Sequence, residues 1–449
     1  MELIRLPSGV KVPILVACLW TIGIALAETD LAAQNRSPEP PVYTPSPPAF
    51  PFYPPGCPSA QPAQFGAPLP GLTASQLAVF LVGSNQFVLL ENVDAELGPI
   101  FNAPTNTAAF PSPICPTNLS CASCHSFPAV GGLVAFSDTR FGVMTPAGFN
   151  PLTNLGGSLL HDCYAPGTPP ETNPVVNLPN GVQALRQILP LFGDGLVEAI
   201  PDGTILLNAL RSRGDGVNGR PALIIDLGST NGSGGNPTHV GRFGWKAQQA
   251  SLRAFSSDAY DNEEDISNPV FPYDNEPNAA PQPVSPTKDQ PDMNGKANID
   301  RFTDFLRFLG PPPAMPLTNV STIHGAILFT FIGCSRCHTP VLFTGANTNQ
   351  ALAYQPVRLF SDLVLHDMGS LNDNVAQGAA NTNQMRTQPL WGVRLRGELG
   401  LGRLNHDGLS TNLFQAISRH DGEGRNARNR FVHLGAKDQE DLINFLNTL

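Results

Sequence analysis

Positive charge is scarce in this chain: 26 lysines and arginines stand against 36 acids in 449 residues, a formal net charge of −10, and no basic run breaks the imbalance. A cationic surface able to neutralise a phosphate backbone is thereby excluded, and nucleic acid is not an expected partner. Charge of either sign is sparse at 14%, while 41% of residues are hydrophobic, so a disordered chain is excluded as well. Cysteine numbers only eight, too few for a disulfide scaffold of this size, which makes cysteine spacing more telling than cysteine count. Strand-like alternation is scarce. Proline (46) and glycine (42) are plentiful, about a fifth of the chain, and point to long irregular connections.

The one extended apolar run is at the amino terminus. Arg5 and Lys11 precede Val12 to Ala25, and Ala25-Leu26-Ala27 supplies the small-x-small pattern of a signal-peptidase site. The run is shorter than the ~20 residues of a spanning helix. Residues 1–27 therefore read as a signal peptide, and the mature protein is expected in the periplasm or secreted, with no membrane span. Leu15-Val16-Ala17-Cys18 has the form of a lipoprotein box, but the apolar stretch continues past Cys18.

Residues 28–71 form a proline-rich linker, with Pro47-Pro48 and Pro54-Pro55, a composition that favours extended backbone. A first module is expected over 72–312. It opens on a helix carrying Leu77, Phe80, Leu81 and Phe87, and closes on an amphipathic stretch with Ile299, Phe302, Phe305, Leu306 and Leu309 that stops at Gly310 before three prolines. A second module, 317–449, ends on a helix marked by Leu442, Ile443, Phe445, Leu446 and Leu449. Residues 145–240, rich in glycine and asparagine, read as surface loops.

Two motifs carry the chemistry. Cys121-Ala122-Ser123-Cys124-His125 and Cys334-Ser335-Arg336-Cys337-His338 each match C-x-x-C-H, the attachment sequence of c-type haem. Chance would supply roughly 0.003 such pentapeptides in a chain of this composition. Two thiols one helical turn apart can add to the two haem vinyl groups, and the histidine that follows projects an imidazole to the iron. Zinc would want further ligands near each motif, and a redox CxxC would not require the histidine. Two covalently bound haem c groups are expected, with His125 and His338 as proximal ligands, consistent with export. Of the remaining cysteines, Cys57, Cys115 and Cys163 make one disulfide and one spare thiol, for which Cys115–Cys163 is the pairing put forward. The sixth iron position decides between electron transfer and chemistry. For the second haem His366 and Met368 are open candidates, and His161, His239 or Met144 could close the first.

Several further stretches resemble the di-haem oxidoreductase family. These are LGPIFN at 98–103 with SCASCHSFPAVGG, GRFGWKAQQASLR at 241–253, NPVFP at 268–272, LVLHDMG at 363–369, MRTQPLWGV at 385–393 and LGRLNHDG at 401–408. That family is related to bacterial di-haem cytochrome c peroxidases, to the di-haem enzyme that matures the tryptophan-derived cofactor of methylamine dehydrogenase, and to di-haem rubber oxygenases. The resemblance implies a mainly α fold of two cytochrome c-like haem domains facing each other, with long irregular loops. It implies a distal ligand for the second haem fourteen residues after His406, which is His420. His406 and Asp407 then hold a loop over that haem, and Arg386 is a partner for a haem propionate. The first haem becomes the reactive one, with Trp245 between the two and an acid over the open iron face, for which Glu263 is the first choice in Asn262-Glu263-Glu264-Asp265. Phe255 departs from the pattern, where glutamine is usual. The resemblance also allows a calcium ion, with Asp292, Asn294, Asn298 and Asp300 as the nearest oxygen-rich cluster.

Three functions follow: a peroxidase reducing hydrogen peroxide with electrons from a small periplasmic redox protein, an oxygenase or oxidase of an organic substrate favoured by Phe255, and a non-enzymatic electron carrier.

Overall fold

The computed structural model describes residues 64–94, 96–104, 114–211, 213–229, 237–398 and 403–449. The signal peptide, most of the linker, Cys18 and Cys57 lie outside the described residues. The end of the linker is docked: Leu69 N–H bonds the Phe308 carbonyl at 2.8 Å, Gly310 N–H bonds that of Ala67 at 2.9 Å, and Leu69 is 2% exposed.

Helix α1 (Ala74–Phe87) begins with a reciprocal cap. The Thr73 hydroxyl accepts from Gln76 N–H at 3.2 Å, and the Gln76 side chain accepts from Thr73 N–H at 2.9 Å. Phe80, Gly83 and Phe87 form its buried side, while Leu77 and Leu81 of the expected apolar face are exposed. The helix crosses α3 (Asn298–Phe308) at Gly83, where a Cβ would stand 2.4 Å from the Arg301 carbonyl oxygen. Between these two in sequence lies α2 (Leu252–Glu264), capped by Ser251, whose hydroxyl accepts from Ala254 N–H at 3.2 Å. All three helices feed one large core that includes Phe80, Phe87, Tyr260, Phe302 and Phe305, and that continues into Leu342–Leu395.

Helix α4 (Val320–Phe331) precedes the second CxxCH motif, α5 (Leu413–Ser418) precedes His420, and α6 (Ala436–Leu446) ends the chain. Helices α4 and α6 pack together over a second core in which Phe329, Phe360 and Phe445 meet pairwise at 5.4–5.9 Å between ring centroids. Leu442, Phe445 and Leu446 are the buried stripe of α6, as the terminal apolar pattern requires. No described helix is long and apolar enough to cross a membrane.

The fold is not mainly α. Helix accounts for 31% of the structure and strand for 17%. Among the described residues the strands form six two-stranded ladders and one four-stranded sheet. In that sheet β1 (Ser137–Thr145) pairs antiparallel with β2 (Gly148–Asn150), β3 (Leu159–Leu160) and β4 (Gly181–Gln187), in the register Thr139↔Leu185 and Phe141↔Gln183. The stretch 145–240, read above as loops, therefore contains much of this sheet, a further ladder between Ala222–Ile225 and Thr238–Gly241, and helices Asp194–Glu198 and Asp202–Leu210. Most of these strands are two to four residues long, too short to display a period of two, and their stability comes from burying Phe141 and Val143 beneath the sheet. Cys115 and Cys163 are joined by a disulfide, which ties the strand at Cys163–Tyr164 to the segment before the first CxxCH motif.

Candidate functional site

Each CxxCH motif forms a tight turn against its own cavity. The first is a single helical turn, Cys121–Cys124, followed by His125. The His125 ring is oriented by Nδ1, 3.2 Å from the Gly132 carbonyl oxygen, which leaves Nε2 for a metal. That carbonyl is close because residue 132 is glycine: a Cβ there would stand 1.8 Å from the Phe127 carbonyl oxygen. Burial lowers the His125 pKa to about 4, so the ring is the neutral ligand form at neutral pH.

The second motif is a 3-10 turn, Cys334–Arg336, followed by Cys337 and His338. His338 Nδ1 lies 3.0 Å from the Phe360 carbonyl, and His420 Nδ1 lies 2.8 Å from the Ala416 carbonyl on α5. Both rings therefore present Nε2. Their centroids are 6.4 Å apart with planes at 62°. Two imidazoles bonded to one metal atom at the ordinary ~2 Å stand about 6 Å apart by centroid, so the pair fits a shared iron. Burial and the neighbouring His420 lower the His338 pKa to about 4, and burial lowers that of His420 too. Two thiols, a neutral imidazole and a cavity at each motif are what a covalently attached haem requires.

The rival histidines are otherwise engaged. His366 lines the second cavity, but its Nδ1 is 2.6 Å from Glu423 Oε2 and its Nε2 3.0 Å from Asp362 Oδ2. Burial alone would lower its pKa; the bonds to Asp362, to the Cys337 sulfur and to Glu423 overcome this and raise it well above the usual imidazole range. The same Asp362 carboxylate pairs with Arg213. Met368 lines this cavity as well. On the first side, His161 is held at both nitrogens, 2.8 Å from Glu171 Oε2 and 2.7 Å from the Asn262 carbonyl. His239 pairs with Asp202 at 2.8 Å, and Met144 is 39% exposed on β1. None of the three lines the His125 cavity, whose described wall carries no second histidine, no methionine and no lysine.

That wall carries acids instead. Glu263, at the end of α2, accepts from Asn102 Nδ2 at 2.7 Å and lies 3.7 Å from Arg140 Nη2. Burial first, then the Asp138 carboxylate, push its pKa up to about 8, with Arg140 opposing. Its side chain keeps 30% of its surface accessible, so the carboxyl is reachable while lying deep in the fold. Glu264 is 5% exposed and raised to about 8 by burial, then by Glu91; it faces Cys121. Phe255 is also on this wall, stacked on Phe243 at 5.6 Å with planes at 11°.

Trp245 lines both cavities. Its Nε1–H donates to the Gln187 carbonyl at 2.8 Å, and His406 meets it edge-on at 6.2 Å. The His406 carbonyl accepts from Gln187 N–H at 2.7 Å, and Asp407 holds Arg419, the residue before His420, at 2.9 Å. The HDG loop thus ties Trp245, Gln187 and the His420 turn together. Arg386 lines the second cavity with Nε on the Gly244 carbonyl and Nη2 on Gln388, both at 2.7 Å. Arg396 lies on the same wall, its Nη2 2.7 Å from the Ile188 carbonyl. Sequence reasoning missed Arg396, Arg140 and Asn102. Arg140 sits in a strand with no motif around it, and Asn102, though inside the LGPIFN stretch, has nothing to set it apart from a loop asparagine.

The oxygen-rich cluster near 292–300 does not converge on a cation position. Asp292 accepts from Asn294 N–H, Lys296 N–H and Arg301; Asp300 accepts from Ala297 N–H and Arg253; Asn298 accepts from Arg301.

No curated protein matches the chain. The family model described as di-haem oxidoreductase, putative peroxidase matches residues 179–449, more than half of the sequence, with Trp245, α2, the second CxxCH motif and His420 inside the match and the first CxxCH motif ahead of it. With that match over more than half of its length, and with a second CxxCH turn and cavity ahead of the matched region, the chain belongs to the di-haem oxidoreductase family.

Proposed function

We propose that the protein is an exported di-haem c-type peroxidase that reduces hydrogen peroxide in the His125 cavity, with electrons relayed from a small redox protein through the His338 cavity. One observation carries this reading. The His338 cavity places a second imidazole, that of His420, 6.4 Å from the first by ring centroid, whereas the described wall of the His125 cavity carries carboxyl groups and no second histidine or methionine. Bound haem would supply an open iron at the first position and an electron store at the second.

The chain's own residues divide the work. Cys121, Cys124, Cys334 and Cys337 supply the thiols for attachment. His125 and His338 are the proximal ligands and His420 closes the second site. Glu263, raised to about 8, is protonated at neutral pH and can hand a proton to the departing oxygen of a peroxide, with Asn102 fixing the carboxyl. Trp245, in both walls, offers the aromatic contact between the two sites. Arg386 and Arg396 present guanidinium groups for carboxylates in the second cavity. Phe255 on the first wall supports a second reading, oxidation of an organic substrate by oxygen, since it replaces a polar side chain with a stacked apolar ring.

Stopped-flow mixing of the reduced protein with peroxide, following both haem absorbances, tests the proposal. Two sequential oxidations with rapid turnover are expected. No reaction with peroxide, together with consumption of oxygen in the presence of an organic substrate, overturns it in favour of the second reading.

A further inference from the structure

A third cavity, about 350 Å³, adjoins the His125 cavity and shares three wall residues with it: Arg140, Asp258 and Asn262. Its outer wall comes from Phe149 on β2, from the connection around Pro151 to Leu159, and from the turn at Ala376–Gly378. Gly378 is exposed, and Ala376 and Gln377 are half-buried, so this side meets solvent. Arg140 and the outer wall up to Leu159 precede the stretch matched by the family model.

The shared wall is polar and one member of it is loosely held. Asn262 Nδ2 bonds the Asp258 carbonyl at 3.0 Å and its carboxylate at 3.1 Å, which locks that half to the α2 backbone. Arg140 instead makes a long contact on either side, 3.5 Å to Asp138, whose carboxylate it helps to hold ionised, and 3.7 Å to Glu263, and its buried Nε has no hydrogen-bond partner. The Arg140 side chain keeps 14% of its surface accessible and lines both cavities, so its guanidinium, 3.7 Å from Glu263, can offer a hydrogen bond to a small polar molecule passing inward. An apolar chain would strip water from Arg140, Asp258 and Asn262 and return nothing.

We infer that this cavity is the access vestibule of the His125 site, and that Arg140 is its selectivity residue, admitting small polar peroxides and turning away bulky apolar ones. The choice of peroxide as substrate rests on the function proposed above; the route does not.

The test uses the protein with both haems attached. Ala376→Cys is a small change at the vestibule rim, outside the His125 cavity wall, and can be blocked after folding by a bulky maleimide; the parent protein given the same reagent controls for Cys57. Association of cyanide with the oxidised protein is followed by stopped flow. Blocking is expected to slow association about tenfold or more while leaving the unlabelled variant at the parent rate. Association within about twofold of the parent after complete labelling overturns the vestibule. Separately, Arg140→Leu should shift the ratio of rates with cumene hydroperoxide and hydrogen peroxide about tenfold toward the cumene compound; an unchanged ratio overturns the selectivity role. Should the parent react with neither peroxide, the peroxidase reading falls, and the cyanide measurement still decides the route.

Discussion

Glu263 gives the sharpest quantitative test, because its protonation is set by where α2 ends. A carboxyl raised from 4.5 to about 8 prefers its proton in the folded state by about 5 kcal/mol, at about 1.4 kcal/mol for each tenfold change in affinity. With 30% of the side chain accessible, water recovers part of this, and about 2–3 kcal/mol is the working figure. The sign is fixed by linkage. Between pH 4.5 and 8 the folded protein holds a proton that the unfolded chain has released, so stability falls as pH rises through that window and levels off above it. Glu264 and Asp261, also raised to about 8, add to the same fall. Glu263→Gln removes only its own share. Denaturant unfolding at pH 5 and pH 9 should therefore show the variant losing about 2 kcal/mol less than the parent between the two, and the parent's peroxide reaction should slow above pH 8. An equal loss in both proteins would mean that Glu263 is already ionised at pH 5 and cannot be the proton donor.

His420→Ala should take away the imidazole facing His338, leaving His366 held at both nitrogens, and convert the second haem from low to high spin; an unaltered absorption spectrum would remove His420 as ligand. Asp362 is fully buried between Arg213 and His366, so Asp362→Asn removes the carboxylate paired with Arg213 and one of the two that hold His366, and should cost about 3 kcal/mol or more in urea unfolding, whereas a loss under about 1 kcal/mol would show the pair to be neutral. Trp245→Phe keeps the apolar body but loses the bond to the Gln187 carbonyl; electron passage between the sites should slow in single turnover with both resting spectra unchanged.

Much of the candidate site is legible in the sequence because the CxxCH pattern is local. The two CxxCH motifs name five-residue segments whose thiols and imidazole must act together, and the structure turns both onto cavities. His420 follows from the resemblance alone; no local pattern separates it from His366, and only the structure does so, through the carboxylates on both His366 nitrogens and the His420 ring facing His338. The helices α3 and α6 announced themselves through repeated apolar residues at helical spacing. The sheet built on β1 did not. Its partners are two to seven residues long and drawn from distant segments, so the pairing of Thr139 with both Leu160 and Leu185 is a tertiary fact without a local trace. Arg140 shares that fate: its role depends on cavities assembled from α2, β1 and the turn at 376–378.

Low-temperature electron paramagnetic resonance of the fully oxidised, matured protein addresses the inequality of the two sites most directly. One high-spin ferric signal from the His125 position and one low-spin signal from the His338–His420 position are predicted, in equal amounts. Two low-spin ferric signals and no high-spin one, in a protein whose reduced form leaves peroxide untouched, would contradict the account.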